Sequence, residues 1–524
     1  MGKTLGRALA LMTLLASCMF AMPALAFAAN PTVFEVSNGS EFNDAVATIN
    51  GAAGGDYVIE LTDDFEANGA SFSSACITTI LGGGHTITLG QYASLSVAKG
   101  AQLNLGSADG GGALTISGGN KQSNDVPGLL YVQGSCNMYS GVTVSDREGN
   151  NYFGGGVTVQ GGTFHMYGGT IKNCGINGGS MCYGGGVAVI YGGSFVMDDG
   201  EISDCYVKAN WECTWDSRMI SALGGGVYVS GGSSFVMNGG TIAGNKSNDM
   251  GGGVAVVASI DEVSEGLGTL KSSAEILGGT IENNEAHDGA GVFASAYYYA
   301  GAYGLCADTP SVGVQDKQGL RISGATIRNN EADGQDGRGG GVFVVRLNSP
   351  AGAEIANAVI SGNSASVGGG VMLYGSPTVM NIEGGAITGN TATRYGGGLA
   401  AKENDGAVVV SNAKLCNNVA GSAASDVYLD EAPAKLSSAR GMDLYLGEPD
   451  DATNKRIDGW YYDDESLRYT NQSKDERREC LGYAGIDSED KVCLIAATSG
   501  SFPSSMPSTS SAALRRVYRC LTSC

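Results

Sequence analysis

The sequence predicts an all-β protein built as a parallel β-helix, and three observations carry that prediction. A Gly-rich phrase followed by an apolar alternation, first written Gly154-Gly155-Gly156-Val157, returns at Gly184, Gly224, Gly251, Gly289 (as Gly-Ala-Gly-Val), Gly339, Gly368 and Gly396. Between the copies comes a second phrase, Gly168-Gly169-Thr170-Ile171, repeated closely at Ile242, Ile281 and Ile387, with looser versions ending at Ile202, Ile327, Ile360 and Leu415. Three residues beyond each of these apolar positions stands Cys174, Cys205, Asn245, Asn284, Asn330, Asn363, Asn390 or Asn418. Where nothing is inserted, the Gly-rich phrase recurs every 27 to 30 residues. That is room for three short strands and three turns per coil, with Gly supplying left-handed turn conformations.

Within a coil, Val187-Ala188-Val189 and Phe195-Val196-Met197 read as strands of period two, flanking members to the bore and middle members outward. Asn at a fixed turn position is expected to stack coil upon coil, its amide satisfying turn groups that would otherwise be orphaned. The six residues Asn245, Asn284, Asn330, Asn363, Asn390 and Asn418 form that expected structural ladder.

Before the stack, Phe42, Ala45, Val46 and Ile49 fall at i, i+3, i+4 and i+7. They predict a short amphipathic helix, capped by Ser40, that covers the open first coil. From Tyr57 to Val144 irregular strands are expected, including the segment Ile80 to Ile87 with His85. Long insertions from Tyr206 to Leu223, Ala258 to Glu275 and Ser295 to Gly319, with a shorter one near Asn348, are expected to leave the stack as loops. The expected division is a signal peptide over 1–29, a helix and irregular first coils over 30–144, regular coils over 145–430, a C-terminal cap over 431–500 and a flexible tail over 501–524.

Composition agrees. Gly supplies 85 of 524 residues without a three-residue period and beside only 10 Pro, so collagen and simple disorder fit poorly, and the 43% hydrophobic content supports a real core. A net charge of −22 argues against nucleic acid and anionic membranes as partners. The N-terminus has Lys3 and Arg7, an apolar run from Ala8 to Met22 and then Pro23-Ala24-Leu25-Ala26-Phe27-Ala28-Ala29, the pattern of a secretory signal. Leu15-Ala16-Ser17-Cys18 has the look of a lipoprotein box, but the apolar run continues past it. No later stretch has the roughly 20 apolar residues of a membrane helix. Twelve of the 13 cysteines follow Cys18 and suit an oxidising compartment. Cys174 and Cys205, in adjacent coils at ladder positions, are the expected disulfide; stacked free thiols, or pairing with Cys182 and Cys213, are the alternatives.

The pairing of Gly-Gly-x-Ile with Ile-x-x-Asn, as in Gly278 to Asn284 and Gly384 to Asn390, resembles the repeat of chlamydial polymorphic membrane proteins and of bacterial surface proteins built as pectate-lyase-like β-helices. The resemblance covers about half of the chain. It implies a right-handed helix and makes adhesion a reasonable expectation. Ile stands where that family's motif has Phe, and secretion as an autotransporter is not implied.

For function, the middle residues of the Gly-rich phrase, Thr158, Ala188, Tyr228, Ala255, Phe293, Phe343, Met372 and Ala400, are expected to form one outward column. Tyr228, Phe293, Phe343 and Met372, with Tyr298 in the Tyr-rich insertion, are the candidate contacts for a glycan or a host or cell-surface protein. The competing possibility is that the insertions fold back over the column. Enzymes of this fold set clustered Asp with Arg, Lys or His on one outer face. The chain has only His85, His165 and His287, so the enzymatic alternative, a polysaccharide lyase or glycoside hydrolase, rests on His165, Tyr167 and Asp198, with Asp199 and Asn238 beside them. No cofactor and no metal motif is visible. An ice-binding face is set aside because Thr86-Ile87-Thr88 shows no stacked companions in the sequence. The expectation is a secreted or surface-displayed, non-catalytic, monomeric binding protein.

Overall fold

The computed structural model describes residues 31–429 apart from 119–127, 211–220, 258–271, 296–318, 348–352 and several shorter stretches, together with strands at Lys435–Ser437, Leu481–Ile486 and Val492–Ala496. The expected signal peptide, the tail, most of the expected C-terminal cap and Tyr298 lie outside the described residues. Among the described residues there is one helix, Gly39–Asn50, and the remaining regular elements are strands. Every third strand pairs in parallel with its predecessor, giving three long sheets that run along the stack. Sheet A has 14 strands, from Thr32–Val36 to Lys435–Ser437, and sheet C has 12, from Ala70–Phe72 to Val427–Leu429. Sheet B carries two short segments per coil, such as Glu201–Ser203 and Tyr206–Lys208. This is the stacked parallel architecture the repeats predict.

Register follows the sequence repeat residue by residue: Val187 pairs with Val227, Phe195 with Phe235, and Ile202 with Ile242. Like residues therefore stack in the bore. Phe164, Phe195 and Phe235 are fully buried, with successive ring centroids 5.2 and 5.0 Å apart, inside the range of favourable offset stacking. On the helix, Phe42, Ala45, Val46 and Ile49 are the buried face, as their spacing requires, and Phe42 packs against Phe65 at 5.6 Å. Its N-cap is Asn38, whose side chain accepts from the backbone N–H of Ser40 and Glu41, so the capping role expected of Ser40 falls two residues earlier.

The Asn ladder is continuous. Each amide nitrogen donates to the Ile carbonyl of the coil before and to the side-chain oxygen of the Asn in the coil after: Asn284 Nδ2 reaches Ile242 O at 3.0 Å and Asn330 Oδ1 at 2.9 Å. That oxygen also accepts the backbone N–H of the preceding Asn, as Asn330 Oδ1 does from Asn284. Just before each ladder position the backbone turns left-handed, at Asn173, Asp204, Gly244, Asn283, Asn329, Gly362, Gly389 and Asn417. Asn, Asp and Gly tolerate that region, which explains their recurrence there.

Cys174 and Cys205 continue the ladder upward as free, fully buried thiols, so the expected bridge between them is corrected. Each thiol is a weak donor whose nearest acceptor is a carbonyl of its own coil, Lys172 O for Cys174 and Ser203 O for Cys205, both at 3.3 Å, while the carbonyl of the preceding coil that the amide would reach lies farther away, Val144 O at 4.0 Å and Ile171 O at 3.8 Å. At the other end Asp426, aligned with the third Gly of the Gly-rich phrase, accepts from both the backbone N–H and the side chain of Asn418. It supplies the oxygen that the next Asn would have given.

The outward column is a second correction. Tyr228 is 5% exposed and Phe293, Phe343 and Met372 are fully buried, so these candidate contacts are not at the surface. They form a second apolar core with Tyr183, Leu223, Met250, Val367 and Tyr395, residues that immediately precede the Gly-rich phrases. The cause is the turn itself. Its first Gly is left-handed at every copy, as at Gly184 (φ 72°) and Gly339 (φ 64°), and reverses the chain so that the residues before it lie over the column.

Candidate functional site

The strongest polar constellation lies on the outer face of sheet A, where Thr79, Asn104, Asn137 and His165 stand in register on successive coils. The first three are linked, Asn104 Nδ2 donating to Thr79 Oγ1 at 3.1 Å and Asn137 Nδ2 to Asn104 Oδ1 at 2.9 Å. At His165 the pattern changes. Its ring folds over Tyr167, centroids 3.7 Å apart, and its Nε2 is 2.7 Å from Asp198 Oδ2 on the next coil. Asp198 Oδ1 accepts from Asn238 Nδ2, also at 2.7 Å, and Tyr167 stacks on Tyr139 of the preceding coil at 5.0 Å with planes 9° apart.

One column of side chains, Tyr139, Tyr167, His165, Asp198 and Asn238, thus runs along four coils. The three residues expected to act together, His165, Tyr167 and Asp198, are brought together. Tyr139 was not anticipated, although its place before Ser140-Gly141 matches that of Tyr167 before Gly168-Gly169. Burial raises the phenol pKa of Tyr139 and Tyr167, and the Asp198 carboxylate pushes Tyr167 further, so both hydroxyls stay protonated donors near neutral pH. Tyr139 is 6% exposed and lies beneath the stack as its support, so the Tyr167 ring edge and hydroxyl, the Asp198 carboxylate and the Asn238 amide are what the column presents outward.

Beside this column the chain turns from sheet A into sheet B through Gly141, Gly169, Gly200 and Gly240, all with positive φ. A side chain on Gly169, Gly200 or Gly240 would also strike the Cε of Met138, Met166 or Met197 beneath it. The corner is therefore bare backbone, and a groove of 520 Å³ forms there, lined by Gly141, Gly169, Gly200, Thr170, Glu201, Thr241, Ala243 and Glu282. Tyr139, Tyr167 and Asp198 each precede one of its floor glycines by two residues.

The other histidines stand apart. His85 Nδ1 is 3.4 Å from Asp64, and His287 Nδ1 is 3.6 Å from the buried Asp288. Among the described residues no three His, Cys, Asp or Glu side chains are grouped to hold a metal ion, and no helix is long and apolar enough to cross a membrane. Thr86 proves to have stacked companions, Thr115, Thr143 and Thr170, with Thr241, Thr280 and Thr326 further along. Glu201 interrupts that column and Lys172, Glu282 and Arg328 enter the neighbouring one, so the array is neither uniform nor uncharged. No protein family matches the chain, and neither a curated protein nor a solved structure matches it.

Proposed function

We propose that this chain is an exported, surface-displayed, right-handed β-helix that binds glycan without cleaving it, through the column Tyr167, His165, Asp198 and Asn238, supported from beneath by the buried Tyr139, and the glycine-floored groove beside it. The helix at Gly39–Asn50 closes the first coil in this reading. One observation supports it: Tyr167, His165, Asp198 and Asn238 form a continuous polar column over three successive coils, and Tyr167 and Asp198 lead within two residues into Gly169 and Gly200 of a groove of 520 Å³ otherwise lined by Thr, Glu and Ala side chains. A sugar chain presents hydroxyls at short, regular intervals, and a strip that repeats once per coil, about 4.8 Å apart, meets them with matched donors and acceptors. The repeat's resemblance to chlamydial surface proteins supports display at the cell surface. Polysaccharide cleavage is the second reading, favoured by the His165–Asp198 contact, which holds one imidazole nitrogen and leaves the ring poised as a base. A glycan array probed with the mature protein, run beside reducing-sugar and unsaturated-product assays, tests both. Retention of glycan without product is the expected result; product formation that is lost in His165→Ala transfers the assignment to the enzymatic reading.

A further inference from the structure

We infer that the groove accepts glycans that carry no acidic groups and rejects polyuronates and sulfated chains. This deepens the glycan reading and rests on it. The lining contains Glu201 and Glu282 and neither Lys nor Arg, and Asp198-Asp199 lead directly into the floor residue Gly200. Two of these four carboxylates are engaged by neighbours. Glu282 is 2.6 Å from Arg328 Nε, and Asp198 is shared between His165 and Asn238. The other two, Asp199 and Glu201, are exposed; Asp199 accepts only the backbone N–H of Gly200 among its hydrogen bonds in the structure. Lys172 stands outside the lining, in the next outward column of sheet B opposite Ser203. The net charge of −22 adds the same sign at longer range.

A polyuronate places a carboxylate on every sugar, and running it along this strip would set like charges beside Asp199 and Glu201 with no Lys or Arg in the lining to compensate. Sugar hydroxyls, in contrast, donate to carboxylates and accept from the Tyr167, Thr170 and Thr241 hydroxyls. The ammonium of an amino sugar would pair with Asp199 or Glu201.

The experiment uses one backbone with its charge masked or bare, fully methyl-esterified against de-esterified polygalacturonate, together with mannan, chitosan and hyaluronate, in affinity electrophoresis of the mature protein. The account expects retardation by at least one uncharged or amino-bearing polymer and binding at least about tenfold weaker to the polyanions. It also expects the double variant Asp199→Lys, Glu201→Lys to gain retardation by de-esterified polygalacturonate. Wild-type binding to a polyanion as tight as to any uncharged polymer, and abolished by Tyr167→Ala, overturns this inference while leaving glycan binding in place. Retardation by no polymer, in the panel or on the array, overturns both.

Discussion

The ring of Tyr206 lies across Gly175 and its hydroxyl donates to Glu148 on the far side, so one side chain ties three successive coils together. A side chain at Gly175 would collide with the ring. Burial and the Glu148 carboxylate raise the Tyr206 pKa, which keeps the hydroxyl a donor. Gly175→Ala must displace the ring, and we expect a loss of about 1.5–3 kcal/mol, the range for a hydrogen bond to a charged group. Tyr206→Phe should lose a similar amount, and the double variant little more than either alone. Urea midpoints decide it: fully additive losses would show that the two residues are not coupled.

Asn363 is fully buried and accepts from Asn330 through both backbone and side chain while donating to Ile327 O and Asn390 Oδ1. Removing the amide strands a backbone donor and a carbonyl, so Asn363→Ala should cost about 2–5 kcal/mol. Ser364→Ala, at a half-buried position, should stay within about 0.5 kcal/mol. Equal denaturant midpoints for the two variants would contradict the ladder as a source of stability.

Phe293 sits in the second core with its ring 5.6 Å from that of Phe343. Phe293→Ala should therefore lower stability by about 3–5 kcal/mol, as cavity-forming aromatic deletions do. A variant with wild-type thermal stability would place this ring at the surface after all.

The bore and the Asn ladder were legible because both repeat at fixed spacing, and parallel stacking converts spacing directly into contact. The burial of Phe293 and Phe343 was missed although a signal existed. A large residue, Phe153, Tyr183, Leu223, Met250, Val367 or Tyr395, stands immediately before six of the Gly-rich phrases. Reading it requires knowing that a left-handed Gly reverses the chain over its own outer face. The contact of His165 with Asp198 followed from their coil assignment, whereas the stack of Tyr139 on Tyr167 lay in an irregular coil where register was not readable. The stacked thiols were legible as neighbours but not as bonded or free, because spacing alone does not set the side-chain torsions.

His287 carries a pH dependence. The close Asp288 carboxylate raises its pKa above the ordinary 6.5 against the opposing effect of burial, and the charges of Asp333 and Asp249 add to the rise. The resulting stabilisation is complete below the unfolded value near 6.5 and is lost as pH rises through the folded value. Asp333, raised by burial and by Glu285, changes stability in the same direction, being less favourable once ionised. Stability should fall from pH 6 to pH 8, and His287→Asn should flatten that slope. A slope unchanged by the substitution would assign the effect to other groups.

Attachment to glycan through the sheet A column is the central claim, and it is tested most directly by titrating the folded protein and its Tyr167→Ala variant with the best array ligand by calorimetry, with circular dichroism confirming that both are folded. The account predicts saturable binding by the parent and a loss of at least about tenfold in the variant, the consequence of removing a central contact residue. Equal affinity in the two proteins would contradict it.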